Sequence, residues 1–264
     1  MKIKRFTQGT LAFVLIVLLA NCRDEVKELN APSVPKSVND PSVGSTPPSV
    51  AQNCKKILVD ASHDGGVWWF PQGEGGKFDP TKDHQGKTFA EVLRAKGFVV
   101  DELPRGIQIS DQVLNDYHVI IRATGFSRYD DGELTAYQNA LEKGIILFLV
   151  ADFVDVGYSD NLADFLGVHF NGKYGGMVNR FSDHALVKGL SKFEYGVGSV
   201  INNPGENIQV IGWLENNLPV MGILDHPKSK IFLMGDGNSF ETLAGSFPDN
   251  MTSWINQACA SSGF

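Results

Sequence analysis

The strand-like runs of this sequence end in polar residues of the kind that carry chemistry. Ile57 to Val59 leads into Asp60, Ser62 and His63; Val119 to Ile121 into Arg122 and Thr124; Ile145 to Val150 into Asp152; and Ile231 to Met234 into Asp236 and Asn238. An imidazole beside a carboxylate supports acid–base hydrolysis, which makes His63, Asp152 and Asp236 the candidate catalytic groups. Asp60, Ser62, Arg122, Thr124 and Asn238 are the hydrogen-bonding groups that would hold a ligand beside them. Ser62 as a nucleophile served by His63 is the weaker arrangement, because adjacent side chains rarely reach one point. The loop after His63 carries Trp68 and Trp69 and runs through a glycine-rich stretch to His84. Exposed aromatic surface of that kind stacks on sugar rings or packs a peptide.

Each of these residues also has a structural reading. His63 can bond its own loop, Trp68 and Trp69 can fold back over the sheet, and Asp236 can cap a turn or the helix after it. His63 and His84 with nearby carboxylates would make a metal site only if they converged. No pair of histidines shows the i, i+4 spacing of helical ligands, so no metal and no cofactor is expected. His118, His169, His184 and His226 read as structural.

The elements that must position these groups alternate. Strands are predicted at 56–60, 98–102, 119–122 and 145–150, separated by helices at 88–96 and 131–143 and a brief helical stretch at 111–115. Gly97 and Gly144 follow the two longer helices as C-caps. The run 145–150 is continuously apolar, as a strand buried on both faces is. A short helix at 161–166, strands at 196–200, 209–214, 219–224 and 231–234, and a closing helix at 249–259 complete the pattern. Strand and helix at this pitch imply right-handed crossovers in an open, doubly wound α/β sheet. The glycine- and asparagine-rich connections of the second half predict some antiparallel edge strands. Ligands of such sheets bind beyond the carboxyl ends of the strands, where the polar residues named above fall.

Three segments carry a family resemblance. They are Ile57-Leu58-Val59-Asp60 with Ser62-His63, the stretch from Asp131 through Glu142-Lys143-Gly144 to Leu147, and Asn161 to Gly167. They resemble class I glutamine amidotransferase-like domains. The segment Asp183-His184-Ala185-Leu186-Val187-Lys188-Gly189-Leu190 and the strand Lys230 to Asp236 resemble the ThuA-like and related uncharacterised branches. The resemblance covers most of residues 55–257 and implies a flavodoxin-like three-layer α/β/α sandwich with a mostly parallel sheet. It also implies a cysteine nucleophile on a strand-to-helix elbow, and here this sequence departs from the family. The corresponding strand ends in Val150-Ala151-Asp152-Phe153, and no cysteine lies between Cys54 and Cys259. Glutamine hydrolysis by a thiolate therefore has no nucleophile.

The ends of the chain define its expected location. Lys2, Lys4 and Arg5 precede an apolar run from Leu11 to Leu19, and Leu19-Ala20-Asn21-Cys22 reads as a lipobox. The run is too short to span a bilayer, so residues 1–21 read as a lipoprotein signal peptide. Cys22 then becomes the lipidated residue that holds the protein to a membrane. Residues 22–53 are rich in Pro, Ser, Val and Asn and lack apolar periodicity, as a disordered tether does. At ~3.1 Å per residue this tether would reach up to ~90 Å. Residues 54–264 form the folded domain. Cys54 and Cys259 bracket it, either as a disulfide or as two buried thiols.

The whole chain carries a formal charge of -7, which becomes -10 once Lys2, Lys4 and Arg5 are removed; that acidity argues against a nucleic-acid partner. The expected protein is thus an extracytoplasmic lipoprotein of a bacterial cell envelope. Its domain would bind a carbohydrate, cell-wall fragment or protein partner at the strand-end rim. Hydrolysis through His63 with Asp152 or Asp236, metal-assisted or not, and a purely structural or assembly role are the alternatives.

Overall fold

The computed structural model describes residues 54–64, 68, 84, 86–103, 105–153, 159–242 and 246–261. The signal segment, Cys22, the tether and Trp69 lie outside the described residues.

Among the described residues, nine strands form one sheet in the order β2-β1-β3-β4-β9-β8-β7-β5-β6. They are β1 (Lys56–Asp60), β2 (Val99–Leu103), β3 (Val119–Ala123), β4 (Ile146–Val150), β5 (Phe170–Phe181), β6 (Phe193–Ile201), β7 (Ile208–Leu214), β8 (Pro219–Leu224) and β9 (Lys230–Met234). The helices are α1 (Lys87–Ala95), α2 (Asp111–Leu114), α3 (Asp131–Glu142), α4 (Asn161–Phe165), α5 (Ser239–Thr242) and α6 (Phe247–Ser261).

Side-chain alternation along the central strands divides the core in two. Ile57 and Val59 of β1, Val119 and Ile121 of β3, and Phe148 and Val150 of β4 pack on one face with Phe89 and Leu93 of α1 and Met251, Trp254 and Ile255 of α6. Leu58, Ile120, Leu147 and Leu149 point to the other face and meet Tyr137, Ala140 and Leu141 of α3 and Leu162 of α4. Each central strand is therefore buried on both faces, and the domain is a three-layer α/β sandwich.

The expected mostly parallel sheet is a mixed one. β2, β1, β3, β4 and β9 run parallel, whereas the pairs β9–β8, β8–β7, β7–β5 and β5–β6 are antiparallel. The connections explain the change. Only residues 215–218 join β7 to β8 and only 225–229 join β8 to β9. A parallel crossover needs a dozen residues or more, so these connections can make only hairpins. The twelve-residue β5 was not foreseen from its sequence, because Gly172, Gly175 and Gly176 interrupt any alternation. It pairs with β6 through register shifts at Asn171/Tyr174 and Tyr174/Gly176, where bulges fall.

Cys54, ahead of β1, is joined to Cys259 of α6 across 205 residues, and both are buried in the core.

Candidate functional site

The chain passes from β1 outward to β2 and then returns to β3 on the other side of β1, so the order β2-β1-β3-β4 places a topological switch between β1 and β3. At such a point two loops leave in opposite directions and open a crevice at the carboxyl ends of the strands. The turn carrying Ser62 and His63 follows β1, and the loop 124–130 follows β3. The two are stitched together, because the amide of Phe126 donates to the carbonyl of His63 at 2.8 Å.

Asp60 at the end of β1 has no exposed surface. Its Oδ1 accepts from the Ser62 amide at 2.9 Å and the Ser62 hydroxyl at 2.5 Å. Its Oδ2 accepts from the hydroxyls of Tyr129 at 3.0 Å and Tyr137 at 2.5 Å. Burial, then the charge of Asp60, pushes both phenols well above their ordinary pKa, so they stay protonated as donors. Asp60 and Ser62 thus saturate each other and hold α3 to β1 rather than facing a ligand.

Arg122 is buried and pairs through Nη2 with Asp160 Oδ2 at 2.5 Å. Burial pulls the guanidinium pKa down, but the charge and hydrogen bond of Asp160 together with Tyr129 and Tyr137 outweigh it, so the net shift is upward and the group stays charged. Asp160 Oδ1 also accepts the Ala163 amide as N-cap of α4, so the pair ties β3 to that helix. Arg122 Nε and Nη1 have no hydrogen-bond partner among the described residues. Thr124 turns the chain with φ +57° and donates its hydroxyl to Asp64 Oδ1 at 2.9 Å.

His63 makes two ring contacts. Nδ1 lies 2.8 Å from Ser127 Oγ and Nε2 lies 3.0 Å from Glu133 Oε1, while the Tyr129 ring covers the imidazole with centroids 3.8 Å apart. Neither Asp152 nor Asp236 is among its partners. The expected pairing of His63 with those carboxylates is replaced by Ser127 and Glu133, which lie on the side of the crevice adjoining α3.

Asp236 is fully engaged. Oδ2 accepts from the Gly196 amide at 2.8 Å and the Ser239 hydroxyl at 2.7 Å, and Oδ1 from the Asn238 amide at 2.9 Å. It caps the turn before α5, which is its structural reading, and Asn238 is part of that turn. Asp152 differs from it. The Asp152 Oδ1 accepts its neighbour's amide, from Phe153, at 2.6 Å, while Oδ2 is buried and has no partner among the described residues. Burial, with Asp236 and Asp64 nearby, pushes its pKa up to about 7, against relief from the Phe153 amide and, less, from Lys173. Lys173 stands over the Phe153 ring, 4.4 Å from its centroid.

Trp68 is a core residue at 1% exposure, not ligand-facing aromatic surface. Its Nε1 donates to Glu102 Oε2 at 2.9 Å and its ring meets Phe240 edge-on at 5.5 Å. His84 belongs with it. Nδ1 lies 3.2 Å from the Trp68 carbonyl and Nε2 lies 3.5 Å from Glu102, and burial lowers the His84 pKa. Among the described residues, no group of three or more His, Cys, Asp or Glu side chains is placed to hold a metal ion.

Ser127, Glu133 and Asp160 were missed in the sequence. Glu133 had left a signal, since Asp130-x-x-Glu133 is a capping-box spacing at the start of α3. Ser127 had none.

No protein-family model and no curated protein matches the sequence. Solved structures do match in fold. The "mmIFT52 N-terminal domain" aligns with a TM-score of 0.56 at 12% identity, over 79% of this chain and 99% of that one. A cytoplasmic protein from Salmonella typhimurium aligns with a TM-score of 0.54 at 14% identity, over 78% and 98%. A ThuA-like protein from Bacteroides uniformis is a looser neighbour, with a TM-score of 0.46 at 16% identity over 80% and 94%. Identities this low speak to the fold alone.

Proposed function

We propose that this chain is a bacterial envelope lipoprotein, held to a membrane through a lipidated Cys22. Its amidotransferase-like domain binds a neutral, hydroxyl-rich ligand, a carbohydrate or cell-wall fragment, at the strand-end rim. The observation that carries the reading is Asp152, a carboxyl buried at the end of β4 with Oδ2 unpartnered among the described residues. A buried polar atom left without a bond costs on the order of 1–3 kcal/mol, and a ligand hydroxyl would remove that cost. With a pKa pushed up to about 7, Asp152 can donate or accept near neutral pH. Asp64 and Asp236 beside it oppose an anionic ligand, which favours sugar hydroxyls over phosphates or carboxylates.

Thiolate hydrolysis of glutamine does not belong to this reading. Of the three cysteines, Cys54 and Cys259 are tied to each other and Cys22 lies in the lipobox.

A thermal-shift panel of neutral oligosaccharides, soluble peptidoglycan fragments and acidic sugars tests the proposal. A ligand at 100 times its Kd adds about 2.7 kcal/mol, or roughly 5–10 °C for a domain of this size. Shifts confined to neutral sugars support the reading. A panel without shifts turns it toward a protein partner or a structural role.

A further inference from the structure

We infer that Ser127, His63 and Glu133 form a serine-nucleophile site for ester hydrolysis, at the β1/β3 switch point and independent of ligand binding at Asp152. The assignment rests on which atom donates to which. Glu133 Oε1 already accepts the Ile109 amide at 3.0 Å, and Oε2 accepts the Asp130 amide at 2.9 Å. It also sits in the first turn of α3, where the helix dipole favours an anion. Glu133 is therefore a carboxylate that only accepts, and the bond to His63 must be donated by Nε2–H. That fixes the neutral imidazole in the tautomer whose Nδ1 carries the lone pair. The group facing this lone pair at 2.8 Å is the hydroxyl of Ser127, which is exposed, while the His63 side chain is only 11% exposed. A nucleophile open to solvent, a shielded base and a buried acid that orients the base follow in sequence, as activation of a serine requires.

The arrangement is held before any substrate arrives. The Tyr129 ring lies against the imidazole, the Phe126 amide bonds the His63 carbonyl, and both oxygens of Glu133 are pinned by backbone amides. Relative to the serine protease arrangement the two ring nitrogens exchange roles, because Nδ1 serves the serine and Nε2 the acid.

In the reaction, Ser127 Oγ attacks the ester carbonyl carbon as its proton passes to His63 Nδ1. The bond from that carbon to the alkoxy oxygen breaks, and the leaving alcohol takes the proton back from Nδ1. Water then attacks the acyl-serine carbon as its proton passes to the same nitrogen, the bond from that carbon to Ser127 Oγ breaks, and Oγ takes the proton back from Nδ1, which releases the carboxylic acid and restores Ser127. Esters are the class this site would take, because an alkoxide leaves with less assistance than an amine. Ser127 and His63 are the catalytic residues and Glu133 is a positioning residue.

The test uses the full chain with a fluorophosphonate probe, read by intact mass and peptide mapping, and with p-nitrophenyl acetate as substrate. The proposal expects one covalent adduct on Ser127, its loss in Ser127→Ala, and labelling slowed by ~10²-fold in His63→Ala. Glu133→Gln, checked for folding by circular dichroism, should slow labelling at an unchanged adduct site, and the exposed Ser127→Ala should melt as the parent does. An unlabelled Ser127 in the parent protein would overturn the assignment, and so would equal labelling rates in the parent and His63→Ala.

Discussion

Arg122 Nη2 lies 2.5 Å from Asp160 Oδ2, with the Arg122 side chain fully buried and that of Asp160 only 5% exposed. One partner ends a central strand and the other caps α4, so the pair fixes where the chain leaves the parallel half of the sheet. Breaking a buried pair strands a charge, and Arg122→Met is expected to cost about 3–5 kcal/mol. Adding Asp160→Asn should recover part of that loss, because the neutral amide still caps Ala163. Urea unfolding of the two single variants and the double variant measures the coupling.

Glu133 closes a capping box with Asp130, accepts the Ile109 amide and orients His63. Glu133→Ala leaves the Asp130 and Ile109 amides without their acceptor and should lower stability by about 2–3 kcal/mol. Glu133→Gln keeps one oxygen acceptor and should lose less than half as much. Chemical denaturation separates the two, and an equal loss would contradict the hydrogen-bond assignment.

Cys54 and Cys259 close a loop with a sequence separation of 205. By the chain-entropy argument, opening it costs on the order of 5 kcal/mol, or roughly 10–20 °C in Tm for a domain of this size. Calorimetry of Cys54→Ser against the oxidised parent checks this. A Tm within a few degrees of the parent would show that the crosslink does not restrain the unfolded chain.

Asp152 has its pKa pushed up to about 7 by burial, from an ordinary 3.8. Between these values the folded state holds a proton that the unfolded state has released. Stability therefore falls as pH rises from about 4 to 7 and levels off above that. Asp152→Asn stays neutral throughout, so it should flatten this slope and be the more stable form at pH 8, by up to roughly 4 kcal/mol. Unfolding free energies at pH 5 and pH 8 for both proteins decide it. Parallel pH profiles would contradict the raised pKa.

The parallel half of the fold was legible because its signals are local. Apolar runs such as Ile146 to Val150 and the glycines after α1 and α3 mark strands and helix ends in any context. The antiparallel half was harder to read. In β5 the glycines that permit bulges erase the alternation by which a strand is recognised, and its partners β6 and β7 lie well downstream.

The residues that end β1, β3, β4 and β9 follow parallel strands and so share one edge of the sheet, but their partners were not legible. Asp60 looked available for a ligand until Tyr129 and Tyr137 arrived from seventy or so positions away. His63 looked paired with Asp152 or Asp236, yet the helix start at Asp130 delivers Glu133 to it instead. Side chains that converge from distant elements leave no periodic trace, and the capping-box spacing at Glu133 was the one cue in the sequence.

We propose that the Asp152 oxygen left unpartnered among the described residues receives a ligand hydroxyl. Isothermal titration of the parent protein and Asp152→Ala with the neutral oligosaccharides of the panel, at pH 7, tests it most directly. Saturable heat is expected for the parent and at least a tenfold weaker Kd for the variant, since a lost hydrogen bond to this group is worth about 1.5–3 kcal/mol. Equal affinity in the two proteins, or no heat in either, would contradict it.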